Sequence, residues 1–144
     1  MNNILVVCIG NICRSPMAEA LLKRALPRHN VKSAGLGALV GKGADPHAIT
    51  LMAEQRLDIS GHVAQQISQA LVSEADLILV MDVEQKRYIE SQYSGARGKV
   101  FRLGESAKSD IPDPYREGID KFRHAQRLIE DGVQVWAGQI AQIA

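Results

Sequence analysis

Short apolar runs alternate with segments of helical periodicity along the chain. Four short segments, two of them continuous apolar runs, predict strands. They lie at residues 4–8, 31–34, 77–81 and 100–103. Between them, apolar residues recur at three- and four-residue spacing, which predicts helices. These helices cover residues 16–26, the segment that follows Asp45-Pro46, residues 68–74, the segment from Asp82 to Tyr93, and residues 118–143.

The alternation of strands and helices predicts an α/β fold. We expect a single-domain, four-stranded parallel sheet with helices on both faces. In open parallel sheets, ligands bind beyond the carboxyl ends of the strands. The segment that follows the first strand is therefore a candidate phosphate-binding loop.

Capping residues mark two of the predicted helix starts. Ser15 is a favoured N-cap residue and Pro16 is favoured at the first helical position, so we expect a helix to begin there. Asp82 followed by Gln85 predicts a capping box at another helix start.

Two of the predicted helices carry an apolar stripe that we expect to face the core. In the helix after Asp45-Pro46 the stripe consists of Ile49, Met52 and Ala53. In the last helix it consists of Phe122, Ile129, Val133, Trp136, Ile140 and Ile143. Core packing is the expected role of both stripes, and Trp136 is expected to be buried.

Length and charge limit the classes of function. The 144 residues are typical of one domain, here residues 1–144. A formal net charge of +1, with basic and acidic residues balanced along the chain, predicts no nucleic-acid partner. Residues 4–8 are too short for an export signal, and no segment approaches membrane-spanning length. We therefore expect a cytoplasmic protein without membrane insertion.

The segment from Cys8 to Ser15 carries the candidate chemistry. Cys8 ends the first strand and Arg14 follows six positions later, which is enough chain to curl around one tetrahedral anion. In a concave loop the successive backbone N–H groups point inward and bind oxygen acceptors. The guanidinium of Arg14 matches two phosphate oxygens, and the nearby helix start adds positive potential that favours a thiolate at Cys8. Gly10 is expected to supply backbone angles that other residues avoid.

Competing interpretations of this loop have less support in its residues. A cysteine on an apolar strand is often an inert core residue, and a C-x5-R-[ST] spacing occurs by chance. The loop lacks the glycine pattern of dinucleotide-binding folds and the G-K-[ST] of P-loop NTPases. Cys8 and Cys13 are the only cysteines and lack the partners of a zinc site. We expect no metal and no cofactor. Two cysteines confined to one loop also indicate a reducing compartment.

Asp113 is the candidate general acid. It lies between Pro112 and Pro114, whose restricted backbones are expected to aim its carboxyl group. Expulsion of an alkoxide or phenoxide from a phosphate monoester needs such an acid. An ordinary Asp-Pro turn is the alternative interpretation when this motif is taken alone.

Together, the C-I-G-N-I-C-R-S-P segment and the D-P-Y segment about a hundred residues later resemble the low-molecular-weight protein tyrosine phosphatase family. The resemblance covers essentially the whole chain. Residues 33–46 are similar to the bacterial branch of the family that is associated with capsule and exopolysaccharide export. The resemblance to this branch implies a phosphotyrosine protein as substrate, namely an autophosphorylated bacterial tyrosine kinase that controls polysaccharide production.

The resemblance implies a role for each motif residue. Cys8 becomes a phosphocysteine, Arg14 binds the transferring phosphoryl group, and Asp113 protonates the departing tyrosine oxygen and later activates water. Ser15 donates a hydrogen bond to the thiolate. The remaining substrate-binding positions of the loop are Ile9, Gly10, Asn11, Ile12 and Cys13.

The resemblance also implies a supporting network and pocket walls. Asn11, Ser33 and His62 match a hydrogen-bonded network that holds the loop, although His62 taken alone is an ordinary loop histidine. The walls of the substrate pocket are Ile9, Leu39 and Tyr115. Leu39 and Arg116 replace aromatic residues of the animal pattern, which predicts weaker stacking on the substrate ring.

Cys13 matches a second loop thiol that forms a protective disulfide with Cys8, and simple packing of a small side chain is the alternative. Two rival functions fit the residues less well. An arsenate reductase of this scaffold relays its disulfide through later cysteines, and none follows Cys13. A phosphotyrosine-binding module would need neither the Cys8 thiol nor the Asp113 acid.

Overall fold

Four parallel strands form the centre of the computed structural model, which describes residues 2–143. They are β1 (Asn3–Cys8), β2 (Asn30–Gly35), β3 (Leu77–Val80) and β4 (Val100–Arg102). Their order in the sheet is β2-β1-β3-β4, and every neighbouring pair is parallel. β1 is thus a central strand, and its continuous apolar run is explained by burial on both faces.

Five helices pack against this sheet within residues 2–143. They are α1 (Arg14–Ala25), α2 (Pro46–Glu54), α3 (Gln69–Glu74), α4 (Val83–Gln92) and α5 (Ile119–Ile143). Alternate residues of β1 join two separate cores, because successive strand side chains point to opposite faces. Ile4 and Val6 pack with α1, α2 and α5, whereas Leu5 and Val7 pack with α3 and α4. The predicted four-stranded parallel sheet with helices on both faces is confirmed.

The carboxyl ends of the strands bring the candidate chemistry together. Cys8 is the last residue of β1 and lies opposite Gly35, the last residue of β2. A methyl group added at Gly35 would collide with the carbonyl oxygen of Ile9, so only glycine permits this close approach of the loop to β2. The loop after β1 therefore lies directly on the end of its neighbouring strand.

The start of α1 differs from the prediction. The helix begins at Arg14, and Cys13 is its N-cap residue without a side-chain capping bond. The assignment of Ser15 as N-cap is wrong, because Ser15 lies inside the first turn and its hydroxyl contacts Cys8 instead. Pro16 is tolerated there, since N–H groups of the first turn have no intrahelical acceptor.

The capping box predicted before α4 is half formed. The carboxylate of Asp82 accepts a hydrogen bond from the backbone N–H of Gln85 at 2.8 Å, as expected. The side chain of Gln85, however, accepts from the backbone N–H of Met81 at 2.9 Å rather than from Asp82. The end of β3 is therefore tied to the first turn of α4.

The predicted helix stripes hold in part. In α2 Met52 is buried, but Ala53 is exposed and Ala48 and Leu51 are buried in its place. In α5 Ile143 is 64% exposed, because the helix end extends past the core. Trp136 is half-buried rather than buried. Its ring nitrogen donates to the backbone carbonyl of Arg102 at 3.1 Å, so it needs a polar neighbour at the edge of the core.

No helix within residues 2–143 combines the length and the apolarity that crossing a membrane requires.

Candidate active site

The loop between β1 and α1 presents its backbone N–H groups as free donors. Its carbonyl groups face the neighbouring segment, where Cys8, Ile9 and Gly10 accept from the backbone N–H groups of Leu36, Gly37 and Leu39, each at 3.0 Å. The N–H groups of residues 9–13 donate to no backbone group of residues 2–143. Because buried donors without acceptors are rare, a row of them is a site for an anion.

A left-handed backbone conformation turns this loop, but it occurs at Asn11 and not at Gly10. Asn11 has a φ of 58°, whereas Gly10 is outside the positive-φ region. The expectation that Gly10 supplies the unusual backbone angles is therefore wrong. Asparagine tolerates the left-handed region better than most residues do, and here its side chain is also hydrogen-bonded.

Arg14 is a buried guanidinium that faces the segment between β4 and α5, which carries Asp113 and is called the acid loop below. Its side chain is 3% exposed, and Nη1 donates to the backbone carbonyl of Ile111 at 2.8 Å. Nη2 lies 3.6 Å from a carboxylate oxygen of Asp113. Nε is buried and has no acceptor among the described residues. Since a buried charged donor without a partner is costly, this nitrogen is a further candidate donor to a bound anion.

The Cys8 thiol begins a chain of buried hydrogen bonds. Sγ of Cys8 lies 2.9 Å from the hydroxyl oxygen of Ser15. The amide of Asn11 donates to the Ser15 oxygen at 2.8 Å and to the Ser33 oxygen at 3.0 Å. The Ser33 hydroxyl in turn donates to Glu19 at 2.5 Å. With its own oxygen occupied as an acceptor from Asn11, Ser15 has its hydroxyl proton available for the sulfur.

A second set of contacts holds Asn11 from the other side. Nε2 of His62 lies 2.7 Å from the carbonyl oxygen of Asn11. The backbone N–H of Gln65 donates to the side-chain oxygen of Asn11 at 2.9 Å, and the Gln65 amide donates to the carbonyl of Ser33 at 2.9 Å. The structure thus brings together the three residues expected to support the loop, namely Asn11, Ser33 and His62.

Two members of this network are absent from the sequence-based prediction. Glu19 accepts the hydrogen bond from the Ser33 hydroxyl, which is the last bond of the series that begins at Cys8, and also forms an ion pair with Lys23 at 2.8 Å. Glu19 lies four residues after Ser15 in α1, which places both on one helix face and was the available signal. Gln65 contributes its backbone N–H and its side-chain amide, and no residue pattern reveals either contact.

Asp113 lies at the mouth of the same site. Its side chain is 47% exposed, and one carboxylate oxygen accepts from the backbone N–H of Tyr115 at 3.1 Å. The other oxygen is the one near Arg14. The carboxyl group is therefore oriented by its own loop and by the guanidinium while it remains open to water.

One cavity of about 140 Å³ joins these groups. Its lining residues are Cys8, Ile9, Gly10, Ile12, Cys13, Arg14, Gly37, Leu39, Asp113 and Tyr115. The three predicted walls, Ile9, Leu39 and Tyr115, are large exposed apolar side chains at its rim. Asn11, Ser15, Ser33 and His62 lie behind the loop and do not line this cavity.

Cys13 is a second free thiol in the loop, and it differs from Cys8 in its surroundings. Burial raises the pKa of the Cys13 thiol far above its usual range, and the nearby Asp45 carboxylate raises it further. Cys13 is therefore a protonated, poorly nucleophilic thiol at neutral pH.

A larger and more polar cavity of about 530 Å³ lies behind the loop and shares no lining residue with the first. Glu19, Ser33, His62 and Gln65 are among the residues on its wall. Neither cavity offers a metal site, because residues 2–143 contain no group of three or more histidine, cysteine or acidic side chains arranged around one point.

Known proteins match this chain over nearly its whole length. The family described as low molecular weight phosphotyrosine protein phosphatase matches residues 3–143. A protein of Ralstonia nicotianae named probable low molecular weight protein-tyrosine-phosphatase EpsP is 54% identical over 140 residues, which cover 97% of each chain. The low molecular weight protein-tyrosine-phosphatase Wzb of Escherichia coli is 52% identical over 140 residues, which cover 94% of this chain and 93% of the relative.

A solved structure shows the same arrangement of the backbone. Wzb of Vibrio vulnificus in complex with benzylphosphonate superposes with a TM-score of 0.92 at 43% sequence identity. The match covers 96% of this chain and 98% of that one.

Proposed function

This chain belongs to the low molecular weight phosphotyrosine protein phosphatase family, and on that premise we propose that it hydrolyses phosphotyrosine through a phosphocysteine intermediate at Cys8. The single observation that carries the proposal is the cavity of about 140 Å³ in which the Cys8 thiol, the Arg14 guanidinium and the Asp113 carboxyl group all lie on the wall. A nucleophile, an anion-binding cation and an acid are the groups that phosphoryl transfer to sulfur requires.

In the first step the phosphate group sits in the loop with its oxygens on the free N–H groups of residues 9–13 and on Arg14. The thiolate of Cys8 attacks phosphorus, so that a sulfur–phosphorus bond forms as the bond to the tyrosine oxygen breaks. Asp113 transfers its proton to that oxygen, and tyrosine leaves as a neutral phenol. The electron pair of the broken bond stays on oxygen, where the proton neutralises it.

In the second step water attacks the phosphocysteine. Asp113, now ionised, accepts a proton from the water, and inorganic phosphate leaves as the sulfur–phosphorus bond breaks. The electron pair of that bond returns to Cys8 as a thiolate. The hydroxyl of Ser15 stabilises the developing negative charge on sulfur, since it lies 2.9 Å away and is fixed by Asn11.

The shape of the site supports an aryl phosphate as substrate. Ile9, Leu39 and Tyr115 surround the opening with apolar surface, which suits a flat aromatic ring. A phosphoserine side chain is shorter and has no ring to fill the space between these walls. A phosphoarginine side chain would lose hydration of its guanidinium group against apolar walls.

We propose as protein substrate an autophosphorylated bacterial tyrosine kinase that controls capsule or exopolysaccharide production. The similarity to the EpsP and Wzb phosphatases supports this proposal. A cytoplasmic location is proposed as well, because the mechanism requires Cys8 as a free thiol and both thiols of the loop are free.

Substrate trapping tests both the reaction and the partner. Cys8→Ser is expected to abolish phosphotyrosine turnover while it retains the phosphotyrosine form of the kinase. Cys13→Ser, which removes the other buried thiol of the loop, is the matched control and should turn over substrate at nearly the wild-type rate. Turnover by Cys8→Ser would refute the nucleophile. Wild-type protein that binds phosphotyrosine but releases no phosphate would instead support a binding module.

A further inference from the structure

The end of β4 is connected to the acid loop by one side chain, Arg102. Its Nη1 donates to Asp110 at 3.1 Å, and its Nη2 lies 3.4 Å from Glu105. The side chain of Arg102 is 14% exposed, whereas that of Asp110 is 53% exposed. A mostly buried guanidinium thus holds two carboxylates that lie five residues apart in the loop.

The backbone of Arg102 is held by the sheet and by α5. It is paired with Val80 in the sheet, and the following residue, Leu103, donates its N–H to the carbonyl of Val80 at 2.7 Å. The carbonyl of Arg102 accepts from the ring nitrogen of Trp136. Because contacts from the sheet and from α5 both fix its backbone, the side chain of Arg102 can hold the loop in a fixed position relative to the core.

The distance along the chain from Asp110 to the acid is short and stiff. The next residue, Ile111, donates its N–H to Met81 at 2.8 Å and accepts from Arg14 at 2.8 Å. Pro112 then precedes Asp113, which leaves few free dihedral angles between the Arg102 contact and the acid. Arg102 thus adds an anchor at Asp110 to those at Ile111, and without it the segment that carries Asp113 is held at fewer points.

We propose that Arg102 is a positioning residue for the general acid, acting through Asp110 to hold Asp113 within reach of the leaving oxygen. The inference rests on the proposed role of Asp113 and extends it to a residue that lines no part of the cavity. Arginine suits this task because its planar fork reaches both carboxylates at once, whereas the single ammonium of lysine cannot. The hydrogen bond from Arg102 also holds the pKa of Glu105 below its usual value, so the pair is ionised at neutral pH.

The test compares kcat/KM for two substrates, because this ratio reports the step in which the leaving group departs. Phosphotyrosine has a poor leaving group that needs the acid, whereas 2,4-dinitrophenyl phosphate releases a stable phenolate without it. Arg102→Gln is expected to lower kcat/KM on phosphotyrosine about fivefold, as befits a partly exposed ion-pair network, and to change the other substrate less than twofold. Asp110→Asn, which removes only the exposed partner, should give a smaller loss in the same direction.

Arg123→Gln is the matched control. Arg123 makes a comparable two-point contact at 3.0 and 2.9 Å, but its partner is Glu54 of α2 rather than a residue of the acid loop. We expect its substitution to leave both substrates unaffected. Thermal unfolding of each variant measures any purely structural loss.

A double variant separates positioning from general damage. If Arg102 acts through the acid, Arg102→Gln adds no further loss in an Asp113→Asn background. Equal losses on the two substrates, an additive double variant, or an unchanged Asp110→Asn protein would overturn the proposal. If Asp113→Asn alone shows no substrate selectivity, the general-acid assignment has failed instead, and the two failures are distinguishable.

Discussion

The hydroxyl oxygen of Ser15 lies 2.9 Å from the sulfur of Cys8, although seven positions separate the two residues in the chain. The contact exists because Ser15 is inside the first turn of α1 rather than at its cap. The Ser15 hydroxyl stabilises negative charge on the sulfur, and that charge develops as the sulfur–phosphorus bond breaks. We therefore expect Ser15 to matter most in the second step, hydrolysis of the phosphocysteine.

Ser15→Ala should slow hydrolysis of the intermediate more than its formation. A hydrogen bond to a charged group contributes about 1.5–3 kcal/mol, so kcat is expected to fall about ten- to a hundredfold. Stopped-flow measurement with an aryl phosphate should then show a burst of phenol. Ser91→Ala is a suitable control, because the Ser91 hydroxyl only contacts the carbonyl of Tyr88 on α4. A variant with normal kcat and no burst would contradict the role of Ser15.

Asp113→Asn removes the proton donor while it preserves the size of the side chain. The expected fall in kcat/KM on phosphotyrosine is about a hundredfold, at the lower end of the range for general acids. The loss should shrink as the leaving phenol becomes more acidic, since a stable phenolate needs no proton. A series of substituted aryl phosphates measures this dependence. A loss that is constant along the series would argue against an acid at Asp113.

Asn11 combines a strained backbone with a buried hydrogen-bonding side chain, and two substitutions separate these contributions. Asn11→Ala removes the contacts to Ser15, Ser33 and Gln65 and leaves alanine at a φ of 58°. Loss of buried partners together with this strain should lower the free energy of unfolding by about 2–4 kcal/mol. Asn11→Gly loses the same contacts, but glycine adopts this φ without strain. Its free energy of unfolding should therefore be about 1 kcal/mol higher than that of Asn11→Ala.

Urea denaturation measures both Asn11 variants, and phosphate binding by each shows whether the loop keeps its shape. Weaker phosphate binding is expected in both, because each lacks the side chain that holds Ser15. Equal stability of the two variants would show that the backbone conformation carries no strain.

The two loop thiols should differ in their reaction with iodoacetate. Because the pKa of Cys13 is raised by burial, its thiol stays protonated at neutral and mildly alkaline pH and should not be alkylated there. Alkylation of Cys13 should begin only when the pH rises far above the usual pKa range of a thiol. Peptide mapping after alkylation at neutral pH is expected to find Cys8 modified and Cys13 intact. Phosphate in the loop should protect Cys8, and fast modification of Cys13 would refute this difference.

The sequence contains enough information to predict the sheet and the groups around the cavity. Continuous apolar runs mark β1 and β3, which are the two central strands of the sheet and are buried on both faces. Cys8, Arg14 and Asp113 belong to short motifs with a recognisable chemistry. The structure brings these three residues to one cavity, since the first strand ends beside the loop that follows the fourth.

Contacts between distant parts of the chain account for what the sequence does not reveal. Ser15 has the residue type of an N-cap, but the helix begins one residue before it and its hydroxyl contacts the sulfur of Cys8. Gly10 has the residue type for a left-handed turn, yet Asn11 adopts it because its amide gains buried partners. The spacing of Glu19 four residues after Ser15 places it on the same helix face, but its contact with Ser33 of β2 becomes visible only in the fold.

Detection of the phosphorylated enzyme tests the central claim most directly. Wild-type protein mixed with 2,4-dinitrophenyl phosphate is quenched during the first turnover, and phosphorus NMR and peptide mapping then locate the phosphoryl group. The mechanism predicts a sulfur–phosphorus bond at Cys8 that forms and decays at rates consistent with kcat. A phosphoryl group on any other residue, or turnover through which the sulfur of Cys8 is never phosphorylated, would contradict it.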